Sequence, residues 1–243
     1  MSADEQAFLS VWTRPRRPRR EQPALSREQI VATALELLDA EGIDALSMRK
    51  LGTRLNAGAT SMYSHVANKD ELIELVVDEV HGEIEAPDPD GPADWRTAVA
   101  AYAHSMRATL LRHPWIASVL GESGVSYLGP NMLRLNDAVL AVFEGGGFSL
   151  PAADRALNTM VAYVIGVSTS EAAFLTTLAR SGRGEQEWTD RLWPAAEEAV
   201  KPYPRLRALY AAQRDQDRSG TRDKSFADGL ECVLDGIAAR LRG

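Results

Sequence analysis

The chain has 243 residues, of which 45% are hydrophobic and 25% charged, so its composition excludes a mainly disordered protein. The formal net charge of −7 excludes a uniformly basic surface for nucleic acid. With one cysteine, Cys232, the chain can form neither an internal disulfide nor a cysteine-based metal cluster.

The charge is unevenly distributed along the chain. Residues 1–69 carry 10 Lys and Arg against 8 Asp and Glu, whereas the remainder is acidic. Residues 1–24 are predicted to be a disordered arm, because prolines interrupt a cluster of mutually repelling arginines: Arg14, Arg16, Arg17, Arg19 and Arg20. The arm is either a solvated tail or a segment that contacts DNA, and only this front part of the chain suits a polyanionic partner.

Helical periodicity continues from Ser26 to the end, with no sustained strand alternation, so the predicted fold is all-α. Four helices are predicted in the front part: from a capping box of Ser26 and Gln29 to Gly42, from Ser47 to about Leu55, from about Gly58 to Ser64, and from Asn68 through Val80.

A proline-rich break at residues 87–92 precedes the second set of predicted helices. These run from Trp95 to about Arg112, from Pro130 to Gly145, from Pro151 to about Arg180, and from about Lys224 to Arg242. The predicted organisation is an arm (1–24), a three-helix helix-turn-helix domain (25–70) and a larger helical bundle (71–243). No secretory signal is visible, and the longest uncharged apolar stretch, residues 156–170, is short for a membrane span. We therefore expect a cytoplasmic protein with no membrane partner.

The second and third helices have the lengths and spacing of a helix-turn-helix. We expect Leu46, Leu51, Leu55, Met62 and Val66 to face inward, against Ile30, Leu35 and Leu38. Small residues at Ala57 and Gly58 are expected to let the turn close. The outward face of the third helix is then polar and short enough for a DNA major groove about 12 Å wide.

Two segments of this region resemble the tetracycline-repressor (TetR) family: Ala45–Leu51 (ALSMRKL) and Met62–Leu72 (MYSHVANKDEL). The resemblance covers about Ser26 to Val80, and Gly147–Leu150 and Phe226–Glu231 further resemble the tetracycline-type branch. It implies a ligand-responsive transcriptional regulator, most often a repressor, that binds a palindromic operator in double-stranded DNA as a homodimer. A small-molecule effector would release it.

The resemblance places the DNA-binding residues on the second to fourth helices. Tyr63, His65 and Lys69 would contact phosphates, and Arg49 would reach a phosphate or a guanine edge. On the third helix, Thr60 and Ser61 would be the main base readers and Ala59 would offer only a methyl contact to thymine, while Ser64 belongs to the same polar DNA-facing surface. Alternatively, Tyr63 is a core aromatic residue and Arg49 a solvated surface charge.

Two apolar stripes in the rear bundle are expected to form the dimer interface, as the paired helices of the family do. They comprise Leu157, Met160, Val161, Val164, Ile165, Ser168 and Ala172 on one helix, and Phe226, Leu230, Val233, Leu234, Ile237 and Leu241 on the other. Alternatively, both stripes are internal core.

Scattered polar and aromatic residues in the bundle are candidates for the effector pocket, although each alone could simply be a packing or surface residue. They are Tyr102, His104, Met106, Trp115, Leu120, Glu122, Tyr127 and Asn136. In the resemblance, Tyr102 and Met106 occupy drug-contacting positions, while Leu120 replaces a metal-binding histidine and Glu85 another histidine. We therefore expect no metal or cofactor, and an effector flatter or more apolar than tetracycline.

Catalysis and scaffolding are the rival functions. His81–Glu83 imitates the H-x-E of zinc deaminases, but their P-C-x-x-C motif is impossible with one cysteine. Gly121–Gly124 begins like a nucleophile elbow, but the fifth position is Val125. We expect no enzyme and no catalytic residue, and a scaffold would use the helix-turn-helix only for docking.

Overall fold

The computed structural model describes residues 25–122, 128–213 and 218–241, and in this part of the chain the secondary structure is helical without strands. The predicted all-α fold is confirmed. The front part contains α1 (Arg27–Glu41), a 3-10 turn (Ile43–Ala45), α2 (Met48–Arg54), α3 (Ala59–His65) and α4 (Lys69–Gly82). The rear part contains α5 (Trp95–Arg112), α6 (Ile116–Glu122), α7 (Pro130–Gly145), α8 (Leu150–Ser181), α9 (Glu185–Val200), α10 (Pro204–Gln213) and α11 (Arg218–Leu241).

The starts of the front helices follow their capping residues. The Ser26 hydroxyl accepts from the Gln29 backbone N–H at 3.1 Å, and the Gln29 side chain accepts from the Ser26 N–H at 2.9 Å, which completes the capping box. Ser47 and Asn68 accept from the first turns of α2 and α4. Gly42 ends α1 with a φ of 79°. These local predictions are therefore confirmed.

The core of the front part joins α1, α2, α3 and α4. Leu46, Leu51, Met62 and Val66 are buried, as predicted, and they share one apolar cluster with Ile30, Ala34, Leu37, Leu38 and Leu72. Leu35 and Leu55 are only half-buried at the edge of this cluster. The short helices are thus held by packing against α1 and α4, because seven residues cannot sustain a helix alone.

The rear bundle is built around α8, which packs against α5, α7 and α11. The apolar sequence motifs of this part have specific contacts. Phe148 packs against Trp95 and Phe143, with ring centroids 5.2 Å apart in each case, and a Cβ at Gly146 would lie 2.6 Å from the Trp95 ring. The Tyr163 hydroxyl donates to the Phe226 carbonyl at 2.8 Å.

Charged groups join three of these helices, α5, α8 and α11. Arg107 on α5 is buried and donates to Glu171 on α8 at 3.0 and 3.1 Å, while its other nitrogen lies 2.9 Å from Asp223 on α11. In the described residues, α8 is also the helix that could cross a membrane by length and apolar composition. Its buried ion pair and its packing against α5 and α11 place it in the bundle.

The structure differs from the sequence prediction in the rear half. Helices α6, α9 and α10 were not predicted, and α11 begins at Arg218 rather than near Lys224. Helix α9 contains Pro194, a residue that normally interrupts a helix, and only Thr189 and Val200 are buried on it. Arg222 nevertheless pairs with Glu185 at the start of α9, a contact between residues 37 positions apart that local patterns do not reveal.

Candidate nucleic-acid interface and ligand domain

The turn between α2 and α3 is closed by Gly52. The Ala57 N–H donates to the Gly52 carbonyl at 2.9 Å, and a Cβ at Gly52 would lie 3.0 Å from the Ala57 carbonyl oxygen. Asn56 adopts the left-handed conformation with φ 49°. The expectation that Gly58 must be small is wrong, because its φ is −69° and a Cβ there would meet no atom within 4 Å.

Helix α3 separates buried from exposed residues as a recognition helix requires. Met62 is fully buried, whereas Ser61, Tyr63 and Ser64 are exposed, and 49% of Tyr63 is accessible. Tyr63 is therefore not a core aromatic residue. His65 is half-buried, and the side chains of Ala59 and Thr60 lie outside the described part of the structure, as does the arm before residue 25.

The cations of this part of the chain fall into two groups. Lys50 and Arg54 both pair with Glu41 at the end of α1. Arg49 and Lys69 form no ion pair with any described residue, and Arg49 is exposed. These two side chains can therefore offer their full charge to a phosphate backbone.

Arg27 was not singled out from the sequence, yet it fixes the end of α3. Its guanidinium donates to the His65 carbonyl at 3.3 Å and lies 3.8 Å from the buried Glu71 carboxylate. Glu71 also accepts from the Ala67 N–H at 3.3 Å. The partners of Arg27 are distant in sequence, so no local motif identifies this contact.

A hollow of about 690 Å³ lies between α2 and α3. Its lining is Met48, Arg49, Gly52, Thr53, Asn56, Ala57, Gly58 and Tyr63. The guanidinium of Arg49 and the phenol of Tyr63 therefore border one concave surface. It combines a cation, hydroxyl groups and an aromatic ring, which suits contact with a sugar–phosphate backbone.

Helix α4 connects the recognition region to the rear bundle through a buried carboxylate. Asp78 accepts from the Asn131 and Met132 backbone N–H groups, each at 3.1 Å, and from the Asn131 side-chain amide at 3.1 Å. It thus supplies the cap that the first turn of α7 lacks locally. A Cβ at Gly129 would lie only 1.9 Å from an Asp78 oxygen.

The candidate effector residues occupy several environments. Tyr102 and Met106 are buried on α5, and burial raises the pKa of Tyr102 to about 12, so its phenol stays neutral and can donate to a ligand. His104 is exposed and packs edge-on against the Phe226 ring. Leu120 and Asn136 are half-buried, while the Glu122 side chain and Tyr127 lie outside the described residues.

Trp115, also a candidate, is already engaged near the front part of the chain. It is buried, and its indole N–H donates to Asp39 on α1 at 2.8 Å. Glu83, just after α4, lies beside the corner where α5 meets α6, which comprises Arg112, His113 and Trp115. Partial burial alone would raise the pKa of Glu83, but hydrogen bonds from Arg112 and His113 hold it below its ordinary value.

A second hollow, of about 340 Å³, lies among α8, α9, α10 and α11 and was not anticipated from the sequence. Its lining includes three aromatic residues and one ion pair: Phe174, Trp193, Tyr210, Glu185 and Arg222. Trp193 and Tyr210 lie with ring centroids 5.4 Å apart. Their separation in sequence gives no periodic signal. Within the described residues, no group of three or more His, Cys, Asp or Glu could hold a metal ion.

The candidate dimer residues lie mostly inside one chain. Those that are buried within the protomer are Leu157, Met160, Val164, Ser168, Ala172, Phe226, Leu230, Leu234 and Ile237. Val161, Ile165 and Val233 are half-buried, and the Leu241 side chain is not described. A partner can therefore reach α8 and α11 only through the faces that stay exposed, which on α8 carry Ala162, Gly166, Ser170 and Ala173.

Comparison with known proteins gives matches over both parts of the chain. The family described as "Bacterial regulatory proteins, tetR family" matches residues 30–76, and "Tetracyclin repressor-like, C-terminal domain" matches residues 87–241. An HTH-type transcriptional regulator of Saccharopolyspora erythraea is 39% identical over 173 residues, covering 71% of this chain and 72% of the relative. The HTH-type transcriptional repressor DrrR1 of Streptomyces coeruleorubidus is 30% identical over 230 residues, covering 93% and 83%.

A solved structure is similar over nearly the same extent. It is the Streptomyces coelicolor protein ActR in complex with actinorhodin, with a TM-score of 0.73 and 31% sequence identity. The match covers 89% of this chain and 98% of ActR. The similarity thus extends across the recognition helices and the rear bundle together.

Proposed function

Because the chain belongs to the tetracycline-repressor (TetR) family of transcriptional regulators, we propose that it binds a palindromic operator as a homodimer and is released by a small-molecule effector. The family prediction made from the sequence is confirmed. We assign the protein no catalytic role and place it in the cytoplasm with the DNA that it regulates. The observation that carries the proposal is the α2–α3 surface, where Arg49 and Tyr63 border one hollow above a fully buried Met62.

The proposed DNA contacts are of two kinds, phosphate contacts that position the protein and base contacts that recognise the sequence. Lys69, in the first turn of α4, and Tyr63 and His65, at the end of α3, contact phosphates. Arg49 reaches a phosphate or a guanine edge. The base readers are the short side chains on the outer face of α3: Ala59, Thr60, Ser61 and Ser64. These readers form few strong hydrogen bonds, so Arg49 supplies much of the discrimination.

The proposed dimer brings two recognition helices to successive major-groove faces, about 34–36 Å apart. The exposed side of α8 supports this arrangement, because its small residues let a second helix approach closely. The adjacent exposed side of α11 extends the surface. The predicted apolar stripes contribute by keeping α8 and α11 rigid within each protomer.

We propose that the effector enters the rear bundle and is a largely apolar, flat molecule. ActR, which is 31% identical, binds actinorhodin. In this chain, Tyr102 offers a neutral phenol beside the apolar Met106 on the buried face of α5. The hydroxyl of Ser168 is buried without a hydrogen-bond partner among the described residues. A hydrogen bond from this hydroxyl to a polar group of the ligand, or to a water molecule, would therefore be stabilising.

The proposed release mechanism requires the effector to bind the DNA-incompetent arrangement more tightly than the competent one, since equal affinity would shift no population. Helix α4 is the proposed coupling element. Its first turn carries Lys69 at the DNA surface, and Asp78, two turns later, caps α7. The predicted boundary between the helix-turn-helix domain (25–70) and the bundle (71–243) therefore lies within α4, the helix that we propose couples the two domains.

The operator contacts are tested by the salt dependence of binding. With inverted repeats from its own promoter region, a Lys69→Gln variant should bind more weakly across all repeats, and the slope of log affinity against log salt should fall by about 2 for a dimer, because each lost phosphate contact accounts for about 0.9. Lys201→Gln, in an exposed pair with Glu198, is the matched control. Failure of the wild-type protein to bind any repeat would overturn the proposal.

A further inference from the structure

His113 lies between two carboxylates from the front part of the chain. Its Nδ1 is 2.7 Å from an Asp39 oxygen on α1, and its Nε2 is 3.1 Å from both oxygens of Glu83, which follows α4. The imidazole is buried, whereas both carboxylates reach solvent. One side chain of the rear bundle thus connects the ends of α1 and α4, the two helices against which α2 and α3 pack.

The same corner contains two further donors. The Trp115 indole N–H donates to the Asp39 oxygen that faces His113, at 2.8 Å, and Arg112 donates to Glu83 at 2.7 Å. The Asp39 and Glu83 carboxylates accept these two hydrogen bonds, and each also lies within hydrogen-bond distance of one ring nitrogen of His113. Two carboxylates, Asp39 and Glu83, therefore face three residues at the junction of α5 and α6. These residues are Arg112, His113 and Trp115, and only Pro114 stands between them in the sequence.

The backbone of this corner is itself constrained. His113 ends α5 with its N–H bonded to Thr109, and its carbonyl accepts from the Ile116 N–H at 3.0 Å, where α6 begins. Helix α6 packs against α8, the helix around which the bundle is built. A displacement of α6 or of the end of α5 must therefore move the His113 and Trp115 side chains, and with them their hydrogen bonds to Asp39.

We propose that His113, assisted by Trp115, is a positioning residue that sets the angle of the recognition region relative to the bundle through Asp39 on α1. The inference rests on the proposed function. It adds a second path by which a displacement of the bundle reaches the recognition region. Helix α4 carries displacement from α7 through Asp78, and the α5–α6 corner carries displacement from α6 directly to α1. Effector binding that shifts this corner changes the separation of the two recognition helices in the dimer.

The test measures that separation without an effector. Spin labels are attached at Ala32→Cys, an exposed position on α1, in a Cys232→Ser background, and the distance distribution in the full-length dimer is measured by double electron–electron resonance. A His113→Phe substitution keeps a buried ring and removes both contacts to carboxylates. We expect a broader distribution and operator affinity lowered by about 5- to 150-fold, the range of typical coupling between sites.

Trp115→Phe is the milder variant, because it keeps the packing and removes only the indole donor to Asp39. Its matched control is Trp193→Phe, which removes an indole donor to Glu197 within α9, at 3.0 Å. We expect Trp115→Phe to broaden the distribution and Trp193→Phe to leave it unchanged. Asp39→Asn combined with His113→Phe should cost little more affinity than His113→Phe alone, since both changes break one link.

The inference is wrong if His113→Phe and Trp115→Phe are folded and dimeric but have the distance distribution and operator affinity of Trp193→Phe. A purely structural role would lower the urea midpoint of His113→Phe and leave the distribution unchanged well below that midpoint, which also overturns it. Absence of operator binding by the wild-type protein would refute the proposed function, whereas the distance measurement would still decide the role of His113.

Discussion

Asp78 and Gly129 form a matched pair in which each residue limits the other. The carboxylate is buried on α4 and reaches the first turn of α7 only because position 129 has no side chain. A buried carboxylate needs hydrogen-bond donors, and the three groups from Asn131 and Met132 supply them. The glycine is thus required by close approach and not by its own backbone conformation.

Gly129→Ala should destabilise the protein by about 1–3 kcal/mol, because the new methyl group would overlap Asp78 from the carboxylate to its Cβ, which lies 2.6 Å away. Urea unfolding of the dimer at fixed concentration measures the change. Gly145→Ala, at the other end of α7, is the control, since a Cβ there meets no atom within 4 Å and alanine favours a helix. Equal midpoints for the two variants would contradict this interpretation.

At the scale of the element, α3 illustrates how seven residues divide between stability and recognition. Met62 lies in the core shared with α1 and α4, while its neighbour Ser61 faces solvent. The helix ends where Arg27 binds the His65 carbonyl, so its direction depends on α1 as well as on its own packing. Stability and the proposed DNA contact should therefore be separable by substitutions one residue apart.

Met62→Ala should cost about 2–5 kcal/mol, the range for truncating a fully buried large side chain, and should unfold the front part first. Native-state hydrogen exchange of α1–α3 measures this loss. Ser61→Ala should leave exchange unchanged and weaken binding to the preferred operator more than to random DNA. A large stability loss in Ser61→Ala, or none in Met62→Ala, would show that the division is wrong.

The front helices were predictable from the sequence because their signals are local. Ser26, Ser47 and Asn68 cap within three residues, and the apolar spacing identifies the inward face. Gly52 was missed because the requirement for glycine arises from the Ala57 carbonyl, which approaches only after the turn has closed. Helix α9 was missed for a related reason, since Glu185 finds its partner on α11.

At the scale of the whole molecule, periodicity predicted which face of α8 and of α11 is buried. It did not predict which neighbouring helix covers that face. Met160 and Phe226 are buried within the protomer, an arrangement that the sequence interpretation had left open as the alternative to a dimer interface. The two arrangements have the same pattern of apolar residues, because an apolar stripe requires burial and does not specify a neighbour. Tertiary contacts such as the one between Arg107 and Glu171 could not be predicted from the sequence pattern either.

Gly166→Lys tests the proposed dimer surface. Position 166 is exposed on α8 and a Cβ there meets nothing in the protomer, so the substitution should leave the fold of each chain intact. A long charged side chain should, however, prevent close approach of a second α8, and sedimentation at micromolar concentration should then show monomer. Lys at the exposed but distant position 186 (Gln186→Lys) is the control. A dimer for both variants would place the interface elsewhere.

Glu41 takes up the charge of Lys50 and Arg54, which leaves the folded recognition region with few free cations, while five arginines precede it in residues 1–24. Under the proposed function, an arm that contacts DNA would add non-specific attraction to that of Arg49 and Lys69, whereas bases would be read by the folded region alone. With the proposed base contacts, a descendant of this gene would acquire a new target site by exchanging Arg49 and a handful of outward side chains on α3. How quickly it searches the chromosome, which depends on ionic attraction to any duplex, would be inherited largely unaltered.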